Sequence, residues 1–585
     1  MGVDEISDAE LIFNFGYNGA DSHPIVQRQI IMAKQNGAKI ICADPRRIET
    51  ARIADIHLQL KGGTNLALVN AMANVIYTEG LCDWDFIKKH TVGFDDFIKT
   101  IEKYTPEYAE GITGIPAATI KEAAIMYASA KSAMILYGMG VCQFGQAVDV
   151  VMGLANLALM TGNFGKPASG IGPVRGQNNV QGACDMGALP NAFPGYQNVE
   201  WLNTHTKFET LWETELSDKP GIHLSRVPEF VLGDVPEEKK LHAYYIFGED
   251  PAQSDPDLAE IRETLEKLDF VVVQDVFMNK TCEFADAILP GTAWGEYEGV
   301  FSSCDRGFQR VRKVVEPPEG VLNDWEIICR VSAAMGYPMK YNNSEEIWEE
   351  VLLLTPGFAG ATYEKLEAEG SIQWPVKKRG SFDKGTTYLH KGGYFASMDG
   401  KGRFKASEWR PPYELENEEY PLSFTTVREV GHYSVRTMTG NCRMLASLED
   451  EPGWIQMNPA DCEELGIKQG ELVKVINKRG WCITRCLPTE RVAKGATYMT
   501  YQWWIGACNE LTIGKNLDPV SRTPEFKYCN CRVEKMNDQE WAENYLITEY
   551  RKLREKMGIK CVGEQKVKGI EPPINEERKG CCVYE

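Results

Sequence analysis

Residues 173–187, PVRGQNNVQGACDMG, gather polar side chains with no obvious structural duty. The stretch holds one arginine, two adjacent asparagines, two glutamines and three glycines. It has neither helical nor strand period, so it reads as a loop. Glycines let backbone approach a ligand closely or take up positive φ. The amides offer donors and acceptors together. Arg175 is the only cation, and Gln177 stands two residues on. Such a loop is suited to holding a polar ligand. The plain alternative is a Gly/Asn-rich surface loop.

The elements around it resolve into βαβ units. Residues 10–16, ELIFNFG, read as a strand ending in glycine. A helix from about 22 to 36 and a second strand, KIICAD (39–44), follow. This spacing gives a parallel sheet whose ligands sit beyond the strand carboxyl ends, here at 16–21 and 44–47. Gly62-Gly63-Thr64-Asn65 opens an apolar helix whose free amides suit a phosphate, with plain N-capping as the alternative. SAMILYGMG (132–140) is a further strand and turn, but it carries only G-x-G of the dinucleotide fingerprint. A second set of strands with polar ends lies at 241–251, 269–277 and 285–291. Residues 198–240 are polar and aromatic without period and read as an insertion. From about 420, short β-like runs (421–427, 455–459, 471–477, 481–487, 496–504) predict an all-β barrel or sandwich. A charged helix at 537–556 and a polar extension at 558–585 close the chain.

Composition narrows the function classes. The chain has 585 residues, enough for several domains, and a net charge of −20 that argues against nucleic acid or an anionic membrane as partner. No apolar run reaches membrane-spanning length and the start lacks a signal-peptide core, so a cytoplasmic location is expected. The 17 cysteines include no C-x-x-C pair, and no metal-ligand set is read from them.

The 173–187 loop resembles the active-site loop of molybdopterin-dependent formate dehydrogenases. So do GYNGADSHPIV (16–26), ADPRRIETARIAD (43–55), YGMGVCQF (137–144), TVREVGHYS (426–434) and YMTYQWWIGACNELT (498–512), in the same order. The resemblance implies an α/β chain of two doubly wound pterin-nucleotide-binding domains (1–180 and 181–340) and a connecting region (341–415). A C-terminal six-stranded β-barrel of the double-psi type (416–535) and a tail (536–585) would follow. It implies two molybdopterin guanine dinucleotides holding molybdenum or tungsten, with formate and carbon dioxide as substrates. Iron–sulfur electron-transfer subunits, in some relatives with hydrogenase, would be the partners.

The resemblance also assigns residues. Gly16, Asn18, Asp21, Asp44, Arg46 and Asn65 would hold the first pterin nucleotide. Met139, Gln143, Gly248, Asp250, Gln274, Asp275 and Asp324 would hold the second. Arg428, His432, Ser434, Asn509 and Lys527 would close over both, with a packing role as the alternative for His432. Arg175 would orient formate, supported by Gln177. No residue here is assigned as a metal ligand. The family's [4Fe–4S] site and its metal-ligating cysteine or selenocysteine, followed by histidine, lie upstream of the matched region. An N-terminal segment is therefore expected elsewhere, one route being a selenocysteine UGA codon read as a stop. Two other readings stay open: a non-catalytic pterin-fold scaffold, and a related oxidoreductase with another substrate.

Overall fold

The computed structural model describes residues 2–380, 384–446 and 451–557. Its first sheet contains five parallel strands, β1 (Leu11–Phe15), β2 (Lys39–Ala43), β3 (Ile56–Leu58), β4 (Ala133–Tyr137) and β5 (Gly170–Pro173). Their spatial order is β3-β2-β1-β4-β5. Strand alternation divides the apolar residues between two layers. Leu11, Phe13 and Phe15 face helices α2 (Asn65–Thr78) and α3 (Ala147–Met160). Ile12, with Ile40 and Met134, faces α1 (Pro24–Gln35) through Val26, Ile30 and Ala33. Covering both faces explains why β1 and β4 are almost wholly apolar. Each fully buried Leu, Ile or Phe there contributes about 1.5–3 kcal/mol. The order reverses between β1 and β4, which makes their carboxyl ends a topological switch point.

The polar loop after β5 differs from its reading as wholly irregular. Residues Val180–Asp185 form a short helix, α4. Gln181 Nε2 donates to Asp185 Oδ1 at 2.8 Å, an i,i+4 bond that sequence period does not reveal. The insertion at 198–240 also carries helices, at Leu202–Trp212 and Val227–Leu232.

The second unit is smaller: β6 (Ala243–Phe247), β7 (Phe270–Asp275) and β8 (Ala287–Pro290) are parallel and lie in chain order. Helix α5 (Leu258–Lys267) packs Ile261 and Leu265 against Ile246, Val271 and Val273. Helix α6 (Asp324–Ala334) begins after Asn323, whose amide donates to Glu326 Oε2 at 3.0 Å. The region after 340 first packs Trp348, Phe358 and Leu366 against Phe308. It then crosses the first unit, where Gly402 and Arg403 pair with Thr91 and Val92. Trp409 Nε1 donates to the Gly63 carbonyl at 2.9 Å.

The last unit is a closed barrel of β9 (Leu422–Val427), β10 (Trp454–Met457), β11 (Leu472–Ile476), β12 (Trp481–Pro488), β13 (Ala496–Thr500) and β14 (Cys529–Lys535). The order is β9-β13-β10-β12-β11-β14, and β14 closes on β9. Five strands match the β-like runs of the sequence. The sixth, β14, alternates Cys529, Cys531 and Val533 inward with polar residues between, a weaker signal. Helix α7 (Gln539–Lys556) seats Ala542 and Leu546 against Leu472 and Ile483. The expected polar extension, 558–585, lies outside the described residues.

Candidate functional site

A cavity of about 300 Å³ lies at the switch point, floored by the first sheet and roofed by the barrel. Its floor depends on glycine. Gly16 has φ +55°, and a Cβ there would stand 2.7 Å from the Gly140 carbonyl carbon. The Gly140 amide donates to the Gly16 carbonyl at 3.0 Å, so the turns after β1 and β4 touch directly. Thr64 does not cap α2 with its side chain, and Asn65 Nδ2 donates to the Gly140 carbonyl at 3.1 Å. The α2 terminus thus opens onto the cavity.

Charged groups converge from floor and roof. The Arg46 amide donates to Asp44 Oδ1 at 2.9 Å, and Arg46 Nη1 donates to Gln456 Oε1 at 3.2 Å. The Arg46 guanidinium lies over the Tyr498 ring. Burial pushes the Asp44 carboxyl up, opposed by Arg46. Lys527 Nζ donates to the Thr426 carbonyl at 2.7 Å, and burial brings its ammonium down to about 8. Asn18 Nδ2 donates to Asp21 Oδ2 at 2.5 Å, leaving Asn18 Oδ1 buried without a partner among the described residues. Met139, Gln143, Gln177, Arg428, Ser434 and Asn509 complete the expected part of the lining. Arg428 Nε is likewise buried and unpartnered.

Arg175 stands at the rim, between the lining residues Val174 and Gly176. Its Nη1 donates to Cys184 Sγ at 3.2 Å, and its Nε has no partner among the described residues. Gly176, Gln177 and Asn178 are exposed, so the loop presents its polar face outward.

Five other expected residues assemble at the carboxyl ends of β6 and β7, away from this cavity. Gly248 (φ +64°) turns the chain with open space where a Cβ would be. Asp250 Oδ1 accepts from the Thr281 amide at 3.0 Å and hydroxyl at 2.7 Å, while its Oδ2 is buried and has no partner among the described residues. Gln274 donates to Asp324 Oδ1 at 2.8 Å and accepts from the Tyr245 hydroxyl. Asp275 accepts from Asn279 Nδ2 at 2.9 Å, and burial pushes its carboxyl up to about 6. A second cavity of about 280 Å³ runs between Asp324 and Asn179, beside α4. Asn509 ties the roof to this unit, donating to the Ser254 carbonyl at 2.9 Å.

His432 does not line either cavity. It is buried, with Nδ1 3.0 Å from Thr439 Oγ1 and its ring edge-on to Trp503. Burial, helped by Arg436, lowers it to about 3. Three lining residues carry no distinguishing mark in the sequence: Tyr17, Ser22 and His23. They lie within 16–26, a stretch whose resemblance is legible only as a whole. Among the described residues no group of three His, Cys, Asp or Glu side chains forms a metal-ligand set.

Comparison with known proteins accounts for this arrangement. The family description "Molybdopterin oxidoreductase" matches residues 2–334, and "Molydopterin dinucleotide binding domain" matches residues 422–530. The chain belongs to the molybdopterin oxidoreductase family. Within it, the chain is similar to formate dehydrogenase H of Escherichia coli (strain K12), 52% identical over 95% of this chain and 77% of that protein. It is 42% identical to the F420-dependent formate dehydrogenase subunit alpha of Methanocaldococcus jannaschii, over 91% of this chain and 78% of that one. Acetylene hydratase from Pelobacter acetylenicus shares the fold, with a TM-score of 0.72 at 19% identity, covering 91% of this chain and 81% of that one.

The residues fit the cofactor that a molybdopterin oxidoreductase uses. The Gly16 and Gly140 turns pack backbone against backbone, where a Cβ on either would collide, and the cavity lies over them. Asn18 Oδ1 and Arg428 Nε are buried polar atoms that lack partners among the described residues. Arg46, Lys527 and the α2 amides form a cationic set suited to phosphates. Among the described residues no helix is long and apolar enough to cross a membrane.

Proposed function

We propose that this chain interconverts formate and carbon dioxide at a molybdenum or tungsten centre carried by two molybdopterin guanine dinucleotides. The observation that carries this reading is the Arg175 loop at the rim of the switch-point cavity, in a chain 52% identical to a formate dehydrogenase. Asp44, Arg46, Asn65 and Lys527 hold one nucleotide. Gly248, Asp250, Gln274, Asp275 and Asp324 hold the other. When bound, the centre supplies the two-electron redox step. Arg175 forks the formate carboxylate with two charge-assisted hydrogen bonds and fixes the direction of its C–H bond. Gln177 adds a neutral amide beside it. Electrons leave to iron–sulfur partner subunits.

The test is metal analysis of the protein from its native source, alongside formate-driven reduction of a viologen dye. About one molybdenum or tungsten per chain with formate-dependent reduction is expected. Neither metal and no reduction would overturn the reading in favour of a scaffold.

A further inference from the structure

We propose that His23 is a positioning residue that clamps the backbone of Arg175 and couples it to the Asn18 turn. The inference rests on the reading of Arg175 as the formate-orienting group. His23 sits between the short helix Gly19–Ser22 and Pro24, the first residue of α1. Its Nε2 is 2.6 Å from the Arg175 carbonyl oxygen. A carbonyl only accepts, so Nε2 carries the proton and the tautomer is fixed. Its Nδ1 is 2.8 Å from Ser22 Oγ, and that hydroxyl is also 2.6 Å from the Asn18 carbonyl. With neutral imidazole, Ser22 donates to Nδ1. With imidazolium, Nδ1 donates to Ser22 and the hydroxyl turns to Asn18. Either way the Nε2 bond to Arg175 survives.

The surroundings favour a fixed ring. The Tyr17 ring packs against it at 5.3 Å between centroids. Asp21 and Ser22 lie on its own element, with Arg175 and Arg428 facing it from the loop and the barrel. Burial lowers its pKa, opposed by the bond to Arg175 and reinforced by Arg428. On either side the Val174 amide donates to the Tyr137 carbonyl and the Ser302 amide to Asn179 Oδ1, each at 2.9 Å, while Gly176–Asn178 between them are exposed. The His23 bond holds the backbone of Arg175 itself.

His23→Gln, His23→Asn and His23→Leu, made in the full enzyme, test the clamp. Glutamine keeps a donor at the Nε2 position, whereas asparagine is too short and leucine has none. Hydrogen exchange of peptides spanning 173–187 should quicken about tenfold in His23→Leu and His23→Asn, with His23→Gln near the parent, matching the loss of one hydrogen bond. Formate KM should rise about tenfold in the same two variants, with kcat changed less than threefold. Equal loop exchange in His23→Gln and His23→Leu, or parent-like exchange in His23→Leu, would overturn the proposal. If the parent oxidises no formate, the functional reading falls while loop exchange still decides the clamp. If His23→Leu does not fold, the asparagine–glutamine pair decides it by the same comparison.

Discussion

At the residue scale, Arg175 is the group whose removal should cost most in function and least in stability. Its guanidinium donates to one thiol through Nη1. Arg175→Leu should lower kcat/KM for formate about a hundredfold, equivalent to losing about 3 kcal/mol of bidentate pairing, with Tm unchanged. Arg175→Lys should recover only part, because an ammonium cannot fork a carboxylate. Steady-state kinetics check both. Lys527 gives a pH prediction. Its folded pKa, brought down to about 8 by burial, lies below the ordinary lysine value of 10.5. Between these values the unfolded chain binds more protons, so this group makes stability rise with pH from about 8 towards 10. Thermal melts of cofactor-free protein should show that rise, and Lys527→Met should flatten it. Legibility in the sequence is uneven at this scale. The strand end at Asp44–Arg46 and the helix start at Asn65 are legible as ligand positions, but that Lys527, far along the chain, meets them in one cavity comes only from the family resemblance. Tyr17 and His23 escape notice because an aromatic and a histidine beside a turn carry no period. His432 attracts attention as a histidine in a distinctive motif, but its burial against Trp503 cannot be read from neighbours in sequence.

At the element scale, the switch point depends on two turns in mutual contact. Gly16→Ala places a methyl 2.7 Å from the Gly140 backbone in a left-handed conformation. We expect a loss of at least about 1–3 kcal/mol and failure to retain the cofactor. Gly140→Ala should do the same from the other side, since its Cβ would lie 2.8 Å from Gly16 Cα. Chemical denaturation and cofactor release assays measure the two effects. The elements themselves are largely legible. Strands buried on both faces are near-continuous apolar runs, and β1, β2 and β4 stand out for that reason. Helix α4 and strand β14 are hidden for opposite reasons. The first is too short to show a period, and its support is a side-chain bond between Gln181 and Asp185. The second hides its apolar face in alternating cysteines, which do not read as strand formers.

At the scale of the whole molecule, a nearly buried charge pair fastens the barrel to the segment that leads into it. Arg479 grips Glu414 with both ends of its fork, at 2.6 and 2.8 Å, with both side chains nearly buried. Arg479→Met should lower stability by about 1.5–3 kcal/mol, the loss of its charge-assisted hydrogen bonds, since Lys478 Nζ still pairs with Glu414 Oε1 at 2.7 Å, and the double variant Arg479→Met/Glu414→Leu should recover part of it. Calorimetry of the single and double variants checks this. The crossing of residues 402–412 over the first unit is not readable from sequence, because nothing local marks a strap. The barrel's strand order also sets a sequence of events during synthesis. Strand β14 pairs with both β9 and β11, so the barrel cannot shut until residue 535 has left the ribosome. By then the Gly16–Gly140 floor has long been available to fold. The cavity is thus an open dish for most of the chain's birth, and its lid is completed late.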